Sequence, residues 1–149
     1  MKICLLEPAV ARRQAEWIVA MEPWLSMGFQ AEPIGRWLLR RARAGCVLAA
    51  AHQRAILGIV ASQPDVLLGT FIALLAVRPQ AAGQGVGRNL IERVQHATFT
   101  HRRWLYVSSD SSNLPAARFY KKLGFERVAR LRGLVCQDRV EILWRKQRI

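Results

Sequence analysis

The chain has 149 residues, 52% of them hydrophobic, with five Trp and five Phe. This length suits a single domain over residues 1–149, and the composition excludes a disordered chain. Lys and Arg number 23 against 10 Asp and Glu, and the net charge of +13 attracts polyanions such as nucleic acid or a multiply phosphorylated cofactor, or simply keeps an arginine-rich surface soluble.

The three cysteines, Cys4, Cys46 and Cys136, are odd in number and far apart, with no C-x-x-C spacing. They read as reduced thiols in the core or in strands, not as a disulfide framework or a metal site. The longest apolar run, "VLLGTFIALLAV" at 66–77, is too short to span a membrane. The N-terminus "MKICLLEPAVARR" has too short an apolar run for a signal peptide. A cytoplasmic protein with no membrane partner is expected.

In chain order, "KICLLEP" predicts a short first strand, and "AVARRQAEWIVAM" a helix with Val10, Trp17, Ile18 and Met21 on its apolar side. "EPWLSMGFQAEP" reads as a loop, and "PIGRWLLRRARAG" as a helix ending at Gly45. "CVLAAAH" and "AILGIVAS" flank Gln53-Arg54 as a hairpin; "QPDV" is expected to turn, and "LLGTFIALLAV" to form a long strand ending at Arg78-Pro79. A helix follows, with Val86, Leu90, Ile91, Val94 and Ala97 on one face. "RWLYVSS" is the next strand. "NLPAARFYKKLG" is a short helix, capped by Asn113, with Pro115 in its first turn and Gly124 as its stop. "FERVARLRG" and "DRVEILWRK" alternate as a final antiparallel pair. The pattern is a mixed sheet with helices packed on it.

The segment "VRPQAAGQGVGRNLIERV", 77–94, places Gly83, Gly85 and Gly87 between a strand and a helix. A helix start offers unpaired N–H groups and the positive end of the macrodipole, so such a loop suits an anion. The loop is not a P-loop, because Arg88-Asn89 stand where Gly-Lys would be needed. Nor is it the dinucleotide fingerprint, which requires glycine at 88. It matches [QR]-x-x-G-x-[GA] as "QAAGQG", residues 80–85.

Together with "NLPAARFYKKLGF", this segment resembles the Gcn5-related N-acetyltransferase (GNAT) superfamily. The second block carries N-x-x-A-x-x-F-Y-x-x-x-G-F in full: Asn113, Ala116, Phe119, Tyr120, Gly124 and Phe125. The resemblance covers roughly residues 70–130. It implies an α/β (α+β) fold of the GNAT acyl-CoA N-acyltransferase type, with a mixed, mostly antiparallel sheet of about six or seven strands flanked by about four helices. It also implies an enzyme that transfers the acetyl group of acetyl-CoA to a primary amine by direct attack in a ternary complex.

The resemblance assigns roles residue by residue. Backbone amides from Gln84 through Gly85, Val86 and Gly87 to Arg88 would take the pyrophosphate, with Gln80, Gly83, Gly85 and Gly87 shaping the loop. The Arg88 guanidinium would add a charge-assisted contact. The edge of Leu75, Ala76 and Val77 would pair with the pantetheine arm, and an N–H there would polarise the thioester carbonyl. Tyr120 stands where the family keeps its general acid, and Asn113 adds a cofactor contact to its capping role. No metal is implied.

Many relatives carry a basic Glu on the strand before the loop, but here that strand is "GTFIALLAV", without an acid. Glu22, Asp65, Asp110, His52, Tyr106 or a water chain are the alternatives for a base. The acceptor cleft of this fold would be walled by "MEPWLSMGFQAEPIG", with Trp24, Phe29, Glu22 and Glu32, and by "GLVCQD". The acceptor partner is then a small-molecule or peptide amine. The +13 charge keeps open an RNA-borne amine such as aminoacyl-tRNA, and the missing Glu a non-catalytic acyl-CoA-binding module. Dimers are common in the family, so a homodimer is also open.

Overall fold

A computed structural model describes all 149 residues. Its strands form a seven-stranded sheet ordered β1-β2-β3-β4-β5-β7-β6. The strands are β1 (Lys2–Leu5), β2 (Val47–His52), β3 (Ala55–Val66), β4 (Gly69–Val77), β5 (Trp104–Asp110), β6 (Glu126–Arg132) and β7 (Val140–Gln147). Antiparallel pairing joins β1 to β2, β2 to β3, β5 to β7 and β7 to β6, while β4 and β5 run parallel. The expected mixed, mostly antiparallel sheet is therefore present. By contact density the chain forms two compact units: Met1–Ser62 with Leu74–Val94, and Gln63–Ala73 with Gln95–Ile149.

In the first unit the helix expected over residues 9–21 is broken. It forms α1 (Pro8–Ala11), a 3-10 turn (Arg12–Gln14) and α2 (Ala15–Val19). The break lies where α3 (Ala31–Arg43) crosses: a Cβ on Gly35 would stand 2.9 Å from the Arg12 carbonyl oxygen. The helix α3 starts two residues before Pro33, which sits in the first turn, where its missing N–H costs nothing. Leu6, Ala11, Ile18, Leu38, Ile59 and Leu74 belong to one buried core on this side of the sheet. On the other face a Cβ on Gly58 would meet Val86 Cγ1 at 2.8 Å and Leu90 Cδ1 at 3.2 Å, so α4 (Val86–Phe99) packs directly on β3 there. Val86, Leu90, Ile91 and Val94 are buried as expected. Ala97 is exposed and Thr98 is buried instead, because the next step along this face is four residues and not three.

The hairpin turn at Gln53-Arg54 forms as expected, with φ of +48° and +69°. The next turn does not. "QPDV" continues β3, and the chain reverses at Leu67-Leu68, with φ of +49° and +62°. Two facts explain this. Beyond Ala61 the strand β2 has ended, so the missing N–H of Pro64 breaks no ladder on that side. Gly69 is pinned opposite Trp104, where a Cβ would lie 2.4 Å from the Trp104 carbonyl oxygen, so β4 can begin only at this glycine.

In the second unit β7 lies between β5 and β6, and α5 (Leu114–Lys122) contributes Tyr120 to an aromatic cluster with Phe119, Phe125 and Trp144. The indole N–H of Trp144 donates to Ser109 Oγ at 2.9 Å. All three cysteines are free; Cys46 and Cys136 are half-buried, while Cys4 is exposed on the edge strand β1 and is not a core residue.

Candidate active site

The last residues of β4 leave backbone groups without a strand partner. The Arg78 N–H donates to the Leu57 carbonyl at 2.8 Å, which fixes the alternation: Leu74 and Ala76 direct their backbone polar groups to β3. Those of Leu75 and Val77 point the other way. On that other side the pairing with β5 runs from Gly69↔Trp104 only to Ile72↔Val107. The side chains follow the strand period, with Ala76 buried and Leu75 and Val77 half-buried.

The glycine loop follows. A 3-10 turn over Pro79–Ala81 leads to Gly83 and Gly85, at φ of +77° and +81°. An added Cβ at either position would meet nothing within 4 Å, so the backbone conformation and not crowding calls for glycine. The first rung of α4 runs from the Asn89 N–H to the Gly85 carbonyl at 3.0 Å. The amides of Val86, Gly87 and Arg88 therefore stand at the helix start without an acceptor in the preceding turn. Gln84 braces the loop through Nε2 to the Gln80 carbonyl at 3.2 Å. The Arg88 guanidinium pairs with Glu92 at 2.8 Å on the exposed helix surface. Such a pair is worth about 0.3–0.5 kcal/mol and is easily exchanged for an anion.

Beside the loop, within the same unit, lies a cavity of about 450 Å³ lined by Arg13, Arg54, Arg78, Gln80, Ala81 and Gln84 among others. Arg78 is committed, donating Nε to the Ile56 carbonyl at 2.7 Å and lying 4.6 Å over the Trp17 ring. Arg13 and Arg54 are exposed and add positive potential beside the loop.

In the second unit Asn113 caps α5, its Oδ1 accepting from the Ala116 N–H at 3.2 Å. Tyr120 is 6% exposed. Burial pushes its phenol well above the usual range, and the Glu141 carboxylate adds to the shift. The phenol is therefore protonated at neutral pH.

The residues considered as bases are engaged or exposed. Glu22 accepts from the Ser26 hydroxyl on the surface, and His52 is exposed at the end of β2. Asp65 is ion-paired with Arg102. The Tyr106 hydroxyl donates to the Leu67 carbonyl at 3.1 Å. Asp110 is buried, which would raise its pKa, but the Ser112 hydroxyl and N–H and the Arg139 guanidinium outweigh this and hold it below the usual range. Trp24 packs on the core of its unit, Phe29 is half-buried, and Glu32 pairs with Arg36 at 3.6 Å.

One acid was not foreseen. Glu141 on β7 is 5% exposed. Its Oε1 accepts from the Ser108 hydroxyl at 3.1 Å, and its Oε2 is buried without a partner. Burial raises its pKa; the Ser108 hydrogen bond opposes the shift, and the Asp110 charge reinforces it. The sequence signal was a lone acid inside the apolar strand "VEILW".

The model of the acetyltransferase (GNAT) domain matches residues 43–127, more than half of the chain. In fold the chain is similar to Ard1 from Thermoplasma volcanium, with a TM-score of 0.81 at 17% identity over 99% of this chain and 97% of that one. It is similar to a ribosomal-protein-alanine N-acetyltransferase from Brucella melitensis, with a TM-score of 0.78 at 18% identity over 99% and 100%. It is also similar to an aminoglycoside 6'-N-acetyltransferase complexed with coenzyme A, with a TM-score of 0.80 at 15% identity over 99% and 97%. The chain belongs to the GNAT family of acetyltransferases.

Proposed function

We propose that the protein transfers the acetyl group of acetyl-CoA to a primary amine by direct attack in a ternary complex, as a single domain over residues 1–149. The observation that carries the reading is the turn at Gly83 and Gly85, with the unengaged amides of Val86, Gly87 and Arg88 behind it. An anionic diphosphate there meets oriented N–H donors and the positive end of a 14-residue helix. Gln80 and Gln84 shape that loop, and Arg88 exchanges Glu92 for the phosphate. The outward N–H groups of Leu75 and Val77, with Ala76 as the buried link between them, take the amides of the pantetheine arm. One of them stabilises the oxyanion of the tetrahedral intermediate. As the C–S bond breaks, the Tyr120 hydroxyl donates its proton to the sulfur. Asn113 keeps α5, and with it Tyr120, in place.

Two of the similar folds carry names that describe acetylation of a protein alanine and of an aminoglycoside, so both peptide and small-molecule amines are to be screened. The charge of +13 favours a second reading, an amine borne on RNA. In that case binding of bulk tRNA would weaken steeply as salt rises.

The test is thermal unfolding with acetyl-CoA, CoA, ATP and NAD side by side. Acetyl-CoA or CoA at 100 times its dissociation constant adds about 2.7 kcal/mol, or roughly 5–10 °C. A shift with these two ligands alone supports the reading. No shift with either, in a folded sample, overturns it.

A further inference from the structure

The reaction needs the acceptor ammonium to lose a proton, and β4 carries no acid to take it. The β5–β7 pair does. Ser108 lies directly opposite Leu143, and Glu141 is its diagonal neighbour on the same face. Ser108 is half-buried and reachable, whereas Glu141 behind it is nearly sealed. Trp144 and Ser109 point to the opposite face, where Tyr120 packs against the Trp144 ring at 6.4 Å. The unit thus holds a carboxylate on one face of the strand pair and a phenol on the other.

We propose that Glu141, acting through the Ser108 hydroxyl, is the proton acceptor for the amine. The inference rests on the acetyltransferase reading. The Ser108 oxygen takes a proton from the acceptor R–NH3⁺ while its own proton passes to Glu141 Oε1, leaving R–NH2 and a neutral carboxylic acid. The amine nitrogen then bonds to the acetyl carbon, the C–S bond breaks, and the thiolate takes the Tyr120 proton. The amide nitrogen loses its second proton to the tyrosinate. Glu141 releases its proton to solvent after the product leaves. The sum is R–NH3⁺ plus acetyl-CoA giving R–NH–acetyl, CoA–SH and one proton.

The geometry and the electrostatics of the pair support this assignment. A buried carboxylate with an orphaned oxygen is costly to keep, and a catalytic role is one reason for a fold to retain it. The charged groups that act on Glu141 are Asp110, which disfavours its charge, and Arg139, which favours it; burial dominates both and makes Glu141 a stronger base than an exposed carboxylate. The negative charge of Glu141 is also part of what holds the Tyr120 proton. Once Glu141 is protonated that restraint is gone, so accepting the first proton makes Tyr120 a better acid when the thiolate departs.

The experiment compares wild type, Glu141→Gln and Ser108→Ala in acetyl-CoA-dependent thiol release, with ethanolamine and with hydroxylamine, across neutral to mildly alkaline pH. Ethanolamine is an ammonium there and needs a base; hydroxylamine is already neutral. The expected result is a loss of about 100-fold in kcat/KM with ethanolamine in Glu141→Gln, and a rising pH limb that is altered in both variants. Turnover with hydroxylamine, after subtraction of its uncatalysed reaction with the thioester, should stay within a few-fold of wild type, and the thermal shift with CoA should be unchanged. Equal losses with both amines, or an unaltered pH limb, would overturn the role of Glu141 while leaving the acetyltransferase reading intact. Absence of a CoA shift, or of thiol release above the enzyme-free rate with every peptide and small-molecule amine screened, would overturn the reading itself.

Discussion

Ser108 donates its hydroxyl to Glu141 across the β5–β7 pair at 3.1 Å, and the second carboxylate oxygen of Glu141 is buried with no partner. The two residues are diagonal neighbours on one face of an antiparallel pair. One of them is accessible and the other is not. A carboxylate in this setting is poorly stabilised as an anion, and that has consequences for stability as well as for chemistry.

Glu141→Gln should raise stability at alkaline pH even as it lowers activity. Burial raises the Glu141 pKa in the folded state, so the native protein binds this proton more tightly than the unfolded chain. The favourable contribution is full below the unfolded pKa and is lost as pH rises through the folded one. Glutamine does not titrate. The variant should therefore unfold at a higher temperature than wild type in alkaline buffer, and the advantage should shrink towards acid pH. Melting curves at several pH values check this. A variant less stable throughout would mean that the carboxylate is a structural anchor.

Asp110 has the opposite sign. Its hydrogen bonds from Ser112 and its contact with Arg139 at 3.4 Å hold its folded pKa below the unfolded one. Its contribution is present above the unfolded pKa and is lost as pH falls through the folded one. Asp110→Asn should cost about 1.5–3 kcal/mol at neutral pH, the worth of bonds to a charged group. The difference from wild type should narrow in acid. Urea titrations at neutral and acid pH measure both values.

Tyr120→Phe keeps the ring that packs on Phe119, Phe125 and Trp144 and removes only the hydroxyl. The fold and the affinity for CoA should stay close to wild type. Turnover should fall on the order of 100-fold if the phenol protonates the thiolate. Steady-state thiol release, with CoA binding measured calorimetrically, separates the two effects. Unchanged turnover would remove Tyr120 from the acid role.

Gly85→Ala and Gly45→Ala form a matched pair. Both glycines have positive φ, +81° and +72°, and an added Cβ meets nothing at either. Each substitution should cost about 1–2 kcal/mol of backbone strain. Only Gly85 stands in the loop before the free amides of α4. CoA affinity should therefore fall in Gly85→Ala and stay near wild type in Gly45→Ala. Equal affinities would mean that the glycine loop is only a turn.

Local chemistry explains what the sequence made legible. Glycines at 83 and 85 between an apolar strand and a 3.6-period helix specify a turn with positive φ and an open helix start, and both are found. Asn113, Pro115 and Gly124 bound α5 because capping depends on neighbours within one turn. The final antiparallel pair follows from alternation alone. These features need only residues close together in the chain, so the sequence by itself determined these elements and the loop and helix motifs that mark the family.

Tertiary structure decided the rest. The close approach of Gly69 to Trp104 moved the β3–β4 turn onto two leucines, against local turn chemistry. The crossing at Gly35 coincides with the break in the first helix. The insertion of β7 between β5 and β6 brought Glu141 within hydrogen-bonding reach of Ser108, 33 residues earlier in the chain. No local pattern encodes that meeting. The basicity of a carboxylate depends on its burial and its neighbours, and in Glu141 both are supplied by residues distant in sequence.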